Sequence, residues 1–294
     1  MWSDRLSSWY AESGRHHLPW RGTRDPWAVL VSEVMLQQTS VARVLPRWQA
    51  FLDRWPTPSA CAATPLEEVL RAWDGLGYPR RARALHGAAV VIAQHGWPGD
   101  ELGLRELPGV GSYTARALLT LAFGTPSAAP RDVNISRVTA RAALGVEPHQ
   151  APASRLDATL ATARPGGMSR RDLTLALFDL GATVCRASRP ECQRCPLQRC
   201  ASRQRLAAAP PAPPPRRQGP YQGSLRQLRG AVLRAMLDDD PPRTAAALRA
   251  RVESALGTVD PRRLGEAVGG LRADGLLPRA WPTMRRSWPP SPPT

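Results

Sequence analysis

Two features of this sequence predict an all-α protein, and a third marks a linker. Apolar residues recur at three- and four-residue spacings with few alternating stretches, and Gly and Pro cut those runs into short segments. One proline-rich stretch, AAAPPAPPPRRQGP at 207–220, can form neither a packed helix nor a strand. In chain order, the periodicity predicts helices over Trp27–Gln38, Pro65–Trp73 and Tyr113–Phe123. Beyond the proline-rich stretch, amphipathic segments at 224–237, 244–256 and 261–273 precede Asp274-Gly275-Leu276-Leu277, an order that fits a small helical, winged-helix-like module. The expected organisation is a helical domain over 1–204, a linker over 205–222 and a small C-terminal module over 223–294.

The 294 residues suffice for one large or two modest domains. The opening MWSDRLSSWY has no apolar core of signal-peptide length, and no stretch approaches the roughly 20 apolar residues of a membrane span. A cytoplasmic chain with no membrane partner is therefore expected. The net charge of +16 points to a polyanion, because basic side chains that neutralise phosphates release condensed counterions. All 40 basic residues are arginine, so a compositional bias towards Ala, Pro and Arg also accounts for part of the charge. The excess is divided evenly between 1–204 and 205–294, so either part could meet nucleic acid.

Four of the five cysteines follow the pattern Cys185-x6-Cys192-x2-Cys195-x4-Cys200. In a reducing compartment such a cluster holds metal rather than disulfides. A [4Fe–4S] cubane takes one cysteine per iron and suits irregular spacing. Structural zinc is the alternative, but it favours paired C-x2-C knuckles and only one is present. Cys61 stands apart and reads as a small apolar core residue. Arg186, Arg189, Arg194, Arg199 and Arg203 surround the loop, either to reach phosphates or to offset the charge of a cluster.

Leu107-Pro108-Gly109-Val110-Gly111 lies between one helix ending near Glu106 and another beginning near Ser112. Its glycines permit a tight turn and close backbone approach, and the N–H groups opening the second helix favour a phosphate. The segment therefore reads as a helical hairpin that grips a DNA backbone. Asp132 follows Gly111 by 21 residues and sits where it would cap the next helix. Glu33, in AVLVSEVMLQQ, has Val29, Leu30, Leu36 and Gln37 as its helical neighbours. A carboxyl on so apolar a face is either an edge residue or one whose pKa is raised by desolvation, as in a general acid.

Together with Leu18-Pro19-Trp20-Arg21, Ser32 to Thr39, Gly75-Leu76-Gly77-Tyr78 and Leu180-Gly181-Ala182, these segments resemble the helix-hairpin-helix base-excision glycosylases. Within that superfamily the chain is most similar to the adenine DNA glycosylases of the MutY type, over residues 15–204. The resemblance implies a six-helix barrel beside a [4Fe–4S] domain. It also implies a monomer that flips adenine out of double-stranded DNA, opposite 8-oxoguanine or guanine, and removes it. Extrusion is required because the glycosidic bond is out of reach inside the stack.

By position, Glu33 matches the general acid that protonates the departing base, and Asp132 the carboxylate that stabilises the sugar cation. The division makes chemical sense, since adenine leaves poorly until protonated and the cationic sugar needs a nearby anion. Tyr113 and Asn134 match residues assisting at the sugar. Arg21 and Asp179 match the lining of the adenine pocket, with a surface or capping role the alternative for Asp179. Gln37 and Tyr78 match residues that wedge into the duplex, with a half-buried core role the alternative for Tyr78.

The chain departs from the family pattern in three places. Cys195 and Cys200 are separated by four residues where many relatives have five, and Arg131 replaces a small or apolar residue before the aspartate. Residues 221–294 are too short for the Nudix-like domain that helps recognise 8-oxoguanine. Two other readings share the scaffold. An endonuclease-III-like enzyme for oxidised pyrimidines would need a lysine at Tyr113, and the chain has no lysine. A DNA-binding homologue without chemistry would not need both Glu33 and Asp132.

Overall fold

The computed structural model describes residues 4–125, 129–163, 167–209, 211 and 219–277, and every regular element among them is helical. The order is α1 (Asp4–Ser13), α2 (Pro19–Gly22), α3 (Pro26–Leu36), α4 (Val41–Arg54), α5 (Pro58–Ala62), α6 (Leu66–Ala72), α7 (Arg80–His95) and α8 (Glu101–Glu106). It continues through α9 (Ser112–Leu118), α10 (Val133–Thr139), α11 (Ala153–Thr162), α12 (Arg170–Thr183) and α13 (Arg203–Ala208). The last three are α14 (Leu225–Met236), α15 (Ala245–Leu256) and α16 (Pro261–Ala273). None is long and apolar enough to cross a membrane.

The compact units do not follow chain order. One gathers residues 1–37 and 96–215, the other 38–95 and 216–294. In the first unit, α3 is buried along nearly its whole length, which is why its apolar residues show no single face. Asp25 caps it by accepting from the Trp27 and Ala28 amides, and Pro26 at its first position needs no donor partner. The helix packs on α9, and α10 packs on α12. Gly181 of α12 permits the second contact: a Cβ there would lie 2.6 Å from Cβ of Asn134 and 3.0 Å from its backbone.

In the second unit, α5 and α6 pack on α7. Phe51 meets Trp55 and Trp73 edge-on, with centroids 4.7 and 6.3 Å apart. Cys61 is fully buried, as expected of a core residue. In the same unit, α14 packs on α15 and α16. Arg71 donates to the Leu237 carbonyl at 2.5 Å and Arg83 to the Asp274 carbonyl at 2.8 Å, joining this trio to α6 and α7.

Several boundaries differ from the sequence expectation. The helix expected over Trp27–Gln38 stops at Leu36, because Gln38 turns into the left-handed region at φ 55°. The one expected over Tyr113–Phe123 changes to π geometry at Leu119–Phe123, and α10 does the same at Ala140–Leu144. The expected linker is helical as far as Ala208, since alanine favours helix and Leu206 is buried. Most of its proline-rich part, and whatever follows residue 277 in the winged-helix-like expectation, lies outside the described residues.

Candidate active site

Glu33 sits in the middle of α3, surrounded by apolar neighbours, with 9 % of its surface exposed. Burial pushes its pKa up to about 7, against a hydrogen bond from the Tyr113 hydroxyl and the charge of Arg21, while nearby Asp132 raises it further. The carboxyl is therefore divided between its acid and its anion near neutral pH, which suits a group that must give up a proton. Tyr113 belongs to the first turn of α9, and its own pKa is raised by burial and by the two carboxylates, so it remains a phenol. Its ring meets Phe178 edge-on at 6.4 Å.

Asp132 caps α10 as the sequence predicts, its Oδ1 accepting from the Ile135 amide at 2.7 Å. Its Oδ2 accepts from Asn134 Nδ2 at 2.7 Å. Burial raises the Asp132 pKa above the ordinary aspartate value, opposed by these bonds and by the Arg137 charge. Arg137 then extends the chain: its Nη2 donates to Asn134 Oδ1 and to the Gly181 carbonyl, both at 2.7 Å, and its Nε to the Cys185 carbonyl at 2.7 Å. A continuous polar path thus joins Asp132 to the first cysteine of the cluster motif. Arg131 points its guanidinium at Asp157, with 2.6 Å between Nε and Oδ1.

Asp179 is neither a surface residue nor a cap. It is 1 % exposed, and it accepts from Arg15 N at 2.9 Å, Arg15 Nε at 2.7 Å and Arg21 Nη2 at 2.9 Å. Arg21 lies 5.6 Å above the Phe178 ring, and its Nε and Nη1 are buried without a partner among the described residues. Unmatched donors in a buried guanidinium are costly unless something binds there. The charge of Arg21 lowers the pKa values of both Glu33 and Tyr113, so Arg21 belongs to the same site.

In the hairpin, Leu107 and Val110 are buried while Pro108, Gly109 and Gly111 are exposed. The Val110 amide closes the turn on the Leu107 carbonyl at 3.0 Å, and Gly109 takes φ 77°. Two apolar side chains therefore anchor the turn and the rest presents backbone. Gly111 has open space where a Cβ would project, leaving room for a ligand chain to approach. Gln37 caps the C-terminus of α3. Tyr78 lies in a turn of the second unit, exposed, at φ 50°.

Cys185, Cys192, Cys195 and Cys200 line one cavity, together with Val184, Leu197 and Leu206. Four thiols lining one cavity form a donor set that a multi-iron cluster could take, one cysteine per iron. Burial raises the Cys185 and Cys200 thiols and pushes Cys195 up to about 12. Arg141, 1 % exposed, ties the loop down at both ends. Its guanidinium donates to the Arg186 and Ala187 carbonyls at 2.8 Å and reaches Cys185 Sγ at 3.8 Å. Its own carbonyl accepts from the Ser202 amide at 3.0 Å. Of the surrounding arginines, Arg186 and Arg194 pair with Glu191, and Arg203 donates to the Cys192 carbonyl.

Sequence reasoning missed Arg15, Arg137 and Arg141. Arg137 and Arg141 lie one and two turns beyond Asn134, a spacing that could have revealed them. Arg15 is 164 residues from Asp179, and no local pattern marks it.

Comparison with known proteins agrees with this geometry. The pattern of the HhH-GPD superfamily base excision DNA repair proteins matches residues 31–157. The adenine DNA glycosylase of Mycolicibacterium smegmatis is 44 % identical over 277 residues, covering 92 % of this chain and 91 % of that protein. Among solved structures, a thermostable thymine-DNA glycosylase superimposes with a TM-score of 0.59 and 27 % identity, over 69 % of this chain and 94 % of that one. An endonuclease III in a non-covalent complex with DNA gives 0.58 at 23 % identity, over 70 % and 95 %, which shows a shared fold. The chain belongs to the adenine DNA glycosylases of the helix-hairpin-helix base-excision repair superfamily.

Proposed function

We propose that this protein is a monofunctional DNA glycosylase that extrudes adenine from a mismatch with 8-oxoguanine or guanine, hydrolyses its N-glycosidic bond and leaves an intact strand bearing an abasic site. The observation that carries this reading is a buried acid with a pKa of about 7, Glu33, in electrostatic contact with a second carboxylate held by the Ile135 amide and Asn134, Asp132. Glu33 protonates the departing adenine, with Tyr113 holding the carboxyl in place. Asp132, oriented by its own helix and by Asn134, faces the positive charge that grows on the sugar. Arg21, held by Asp179, offers its remaining donors to the ring nitrogens of the extruded base. The exposed backbone of Pro108 to Gly111 grips phosphate, while Gln37 and Tyr78 fill the space the base leaves.

The four cysteines would hold a [4Fe–4S] cluster, which when bound would cross-link the loop and supply a redox-capable centre. We place the chemistry within residues 1–204, treat 205–222 as a connector and assign 223–294 an accessory role. The enzyme acts as a monomer on double-stranded DNA in the cytoplasm.

Glu33→Gln keeps size and polarity but has no transferable proton. In single-turnover assays on an A:8-oxoguanine duplex it should abolish base release while DNA binding survives. A variant within a fewfold of the wild-type rate would remove Glu33 from the mechanism.

A further inference from the structure

Two residues other than glycine take the left-handed conformation among those described, Gln38 at φ 55° and Tyr78 at φ 50°. Such conformations are unfavourable for residues with a side chain and persist where the surroundings over-determine them. Gln38 follows Gln37 directly, and Tyr78 ends a turn in which Gly75 and Gly77 are also left-handed, at φ 82° and 76°. Both strained turns belong to the second unit, and the same side chain reaches both.

That side chain is Arg81, on the first turn of α7. Its Nη2 faces three oxygens: Thr39 Oγ1 at 3.0 Å, the Leu76 carbonyl at 2.9 Å and the Gly77 carbonyl at 2.8 Å. Thr39 Oγ1 in turn donates to the Leu76 carbonyl at 3.1 Å, so the two turns are also joined directly. The guanidinium lies 5.5 Å from the centre of the Trp73 ring and 5.6 Å from that of Tyr78, so one cation contacts the wedge aromatic and the tryptophan beneath. Trp73 Nε1 donates to the Gly77 carbonyl at 3.1 Å and closes the arrangement from the other side. A planar guanidinium bonds in its plane and stacks through its faces, which an ammonium cannot do.

We propose that Arg81 is a positioning residue for base extrusion, holding the turn after Gln37 and the turn that ends in Tyr78 as one preformed wedge. Arg81 acts through these turns and takes no part in bond cleavage. Without it the two turns would relax separately out of their strained conformations, and the duplex would have to order them while opening. The cost should fall on extrusion of a stacked base and spare a base that already lacks a partner. The inference rests on the reading of Gln37 and Tyr78 as duplex-inserting residues.

The test uses the full chain with its cluster and two duplexes, one with adenine opposite 8-oxoguanine and one with adenine opposite an abasic analogue. 2-Aminopurine fluorescence beside the target reports extrusion, and single-turnover cleavage reports the chemistry. Arg81→Gln should slow extrusion and excision from the paired duplex about tenfold, and change excision of the unpaired adenine less than about threefold. Arg81→Lys should recover only part of the loss, because it restores charge without the planar fork. Thr39→Val, a milder change, should show the same substrate dependence at about threefold and serves if Arg81→Gln does not fold.

Tyr78→Ala separates the two readings. If it slows the paired duplex while Arg81→Gln and Thr39→Val stay near wild type, the role of Arg81 is overturned. If Tyr78→Ala itself has no effect on extrusion, the wedge reading fails first. Equal losses on both duplexes for the Arg81 variants would mean a general structural defect and would also overturn the proposal.

Discussion

Burial of the Glu33 carboxyl, the proposed general acid, sets against the fold the same desolvation that raises its pKa. Its folded pKa of about 7 stands above the ordinary 4.5, so the folded protein holds that proton more tightly than the unfolded chain does. The resulting stability is fully present below pH 4.5 and is lost as pH rises through about 7, an effect of about 3 kcal/mol by linkage. Wild-type melting temperature should therefore fall more than that of Glu33→Gln between pH 5 and pH 8. Parallel pH dependences in thermal melts of the two proteins would show that the carboxyl is not desolvated. The desolvation itself was legible in the sequence, because every helical neighbour of Glu33 except Gln37 is apolar. The fate of Asp179 was not: its partner Arg15 arrives from far along the chain, and sequence alone left open a surface or capping role.

At the scale of elements, the proposed catalytic anion, Asp132, owes its position to an ordinary helix rule used twice. Asp132 caps α10 with one oxygen and meets Asn134 with the other, so the bond that starts the helix also aims the anion. Gly181 lets α12 close on α10 at Asn134. Gly181→Ala would force backbone apart, costing about 1–3 kcal/mol of stability. It should also lower excision at least about tenfold by releasing Asn134 from Asp132. Thermal melts together with single-turnover rates check both, and a variant of wild-type rate would show that this packing does not position the anion. The cysteine loop is a second such element, and protein prepared anaerobically should contain about four irons per chain by metal analysis. Stoichiometric zinc without iron would contradict the cluster. The hairpin, the cap and the cysteine spacing could be read in advance because each is a local rule. The π turns after α9 and α10, and the left-handed exit at Gln38, depend on tertiary packing that leaves no local trace.

On the scale of the whole molecule, Glu33, Tyr113, Asp132 and the four cysteines fall in one unit that residues 38–95, which carry the Tyr78 turn, interrupt in sequence. No window of sequence could reveal that grouping, since it joins segments separated by dozens of residues. Composition supplies a different whole-molecule constraint. Cutting the strand after base loss requires an amine that forms a Schiff base with the sugar, and this chain has no lysine, only a phenol at Tyr113. Borohydride present during turnover should accordingly trap little or no protein–DNA adduct. The most direct measurement is single-turnover incubation with A:8-oxoguanine, A:G and thymine-glycol duplexes, each product divided between gels run with and without alkali. The adenine mismatches should yield strands that break only after alkali, and thymine glycol should remain untouched. Nicking without alkali, or release confined to thymine glycol, would contradict the assignment.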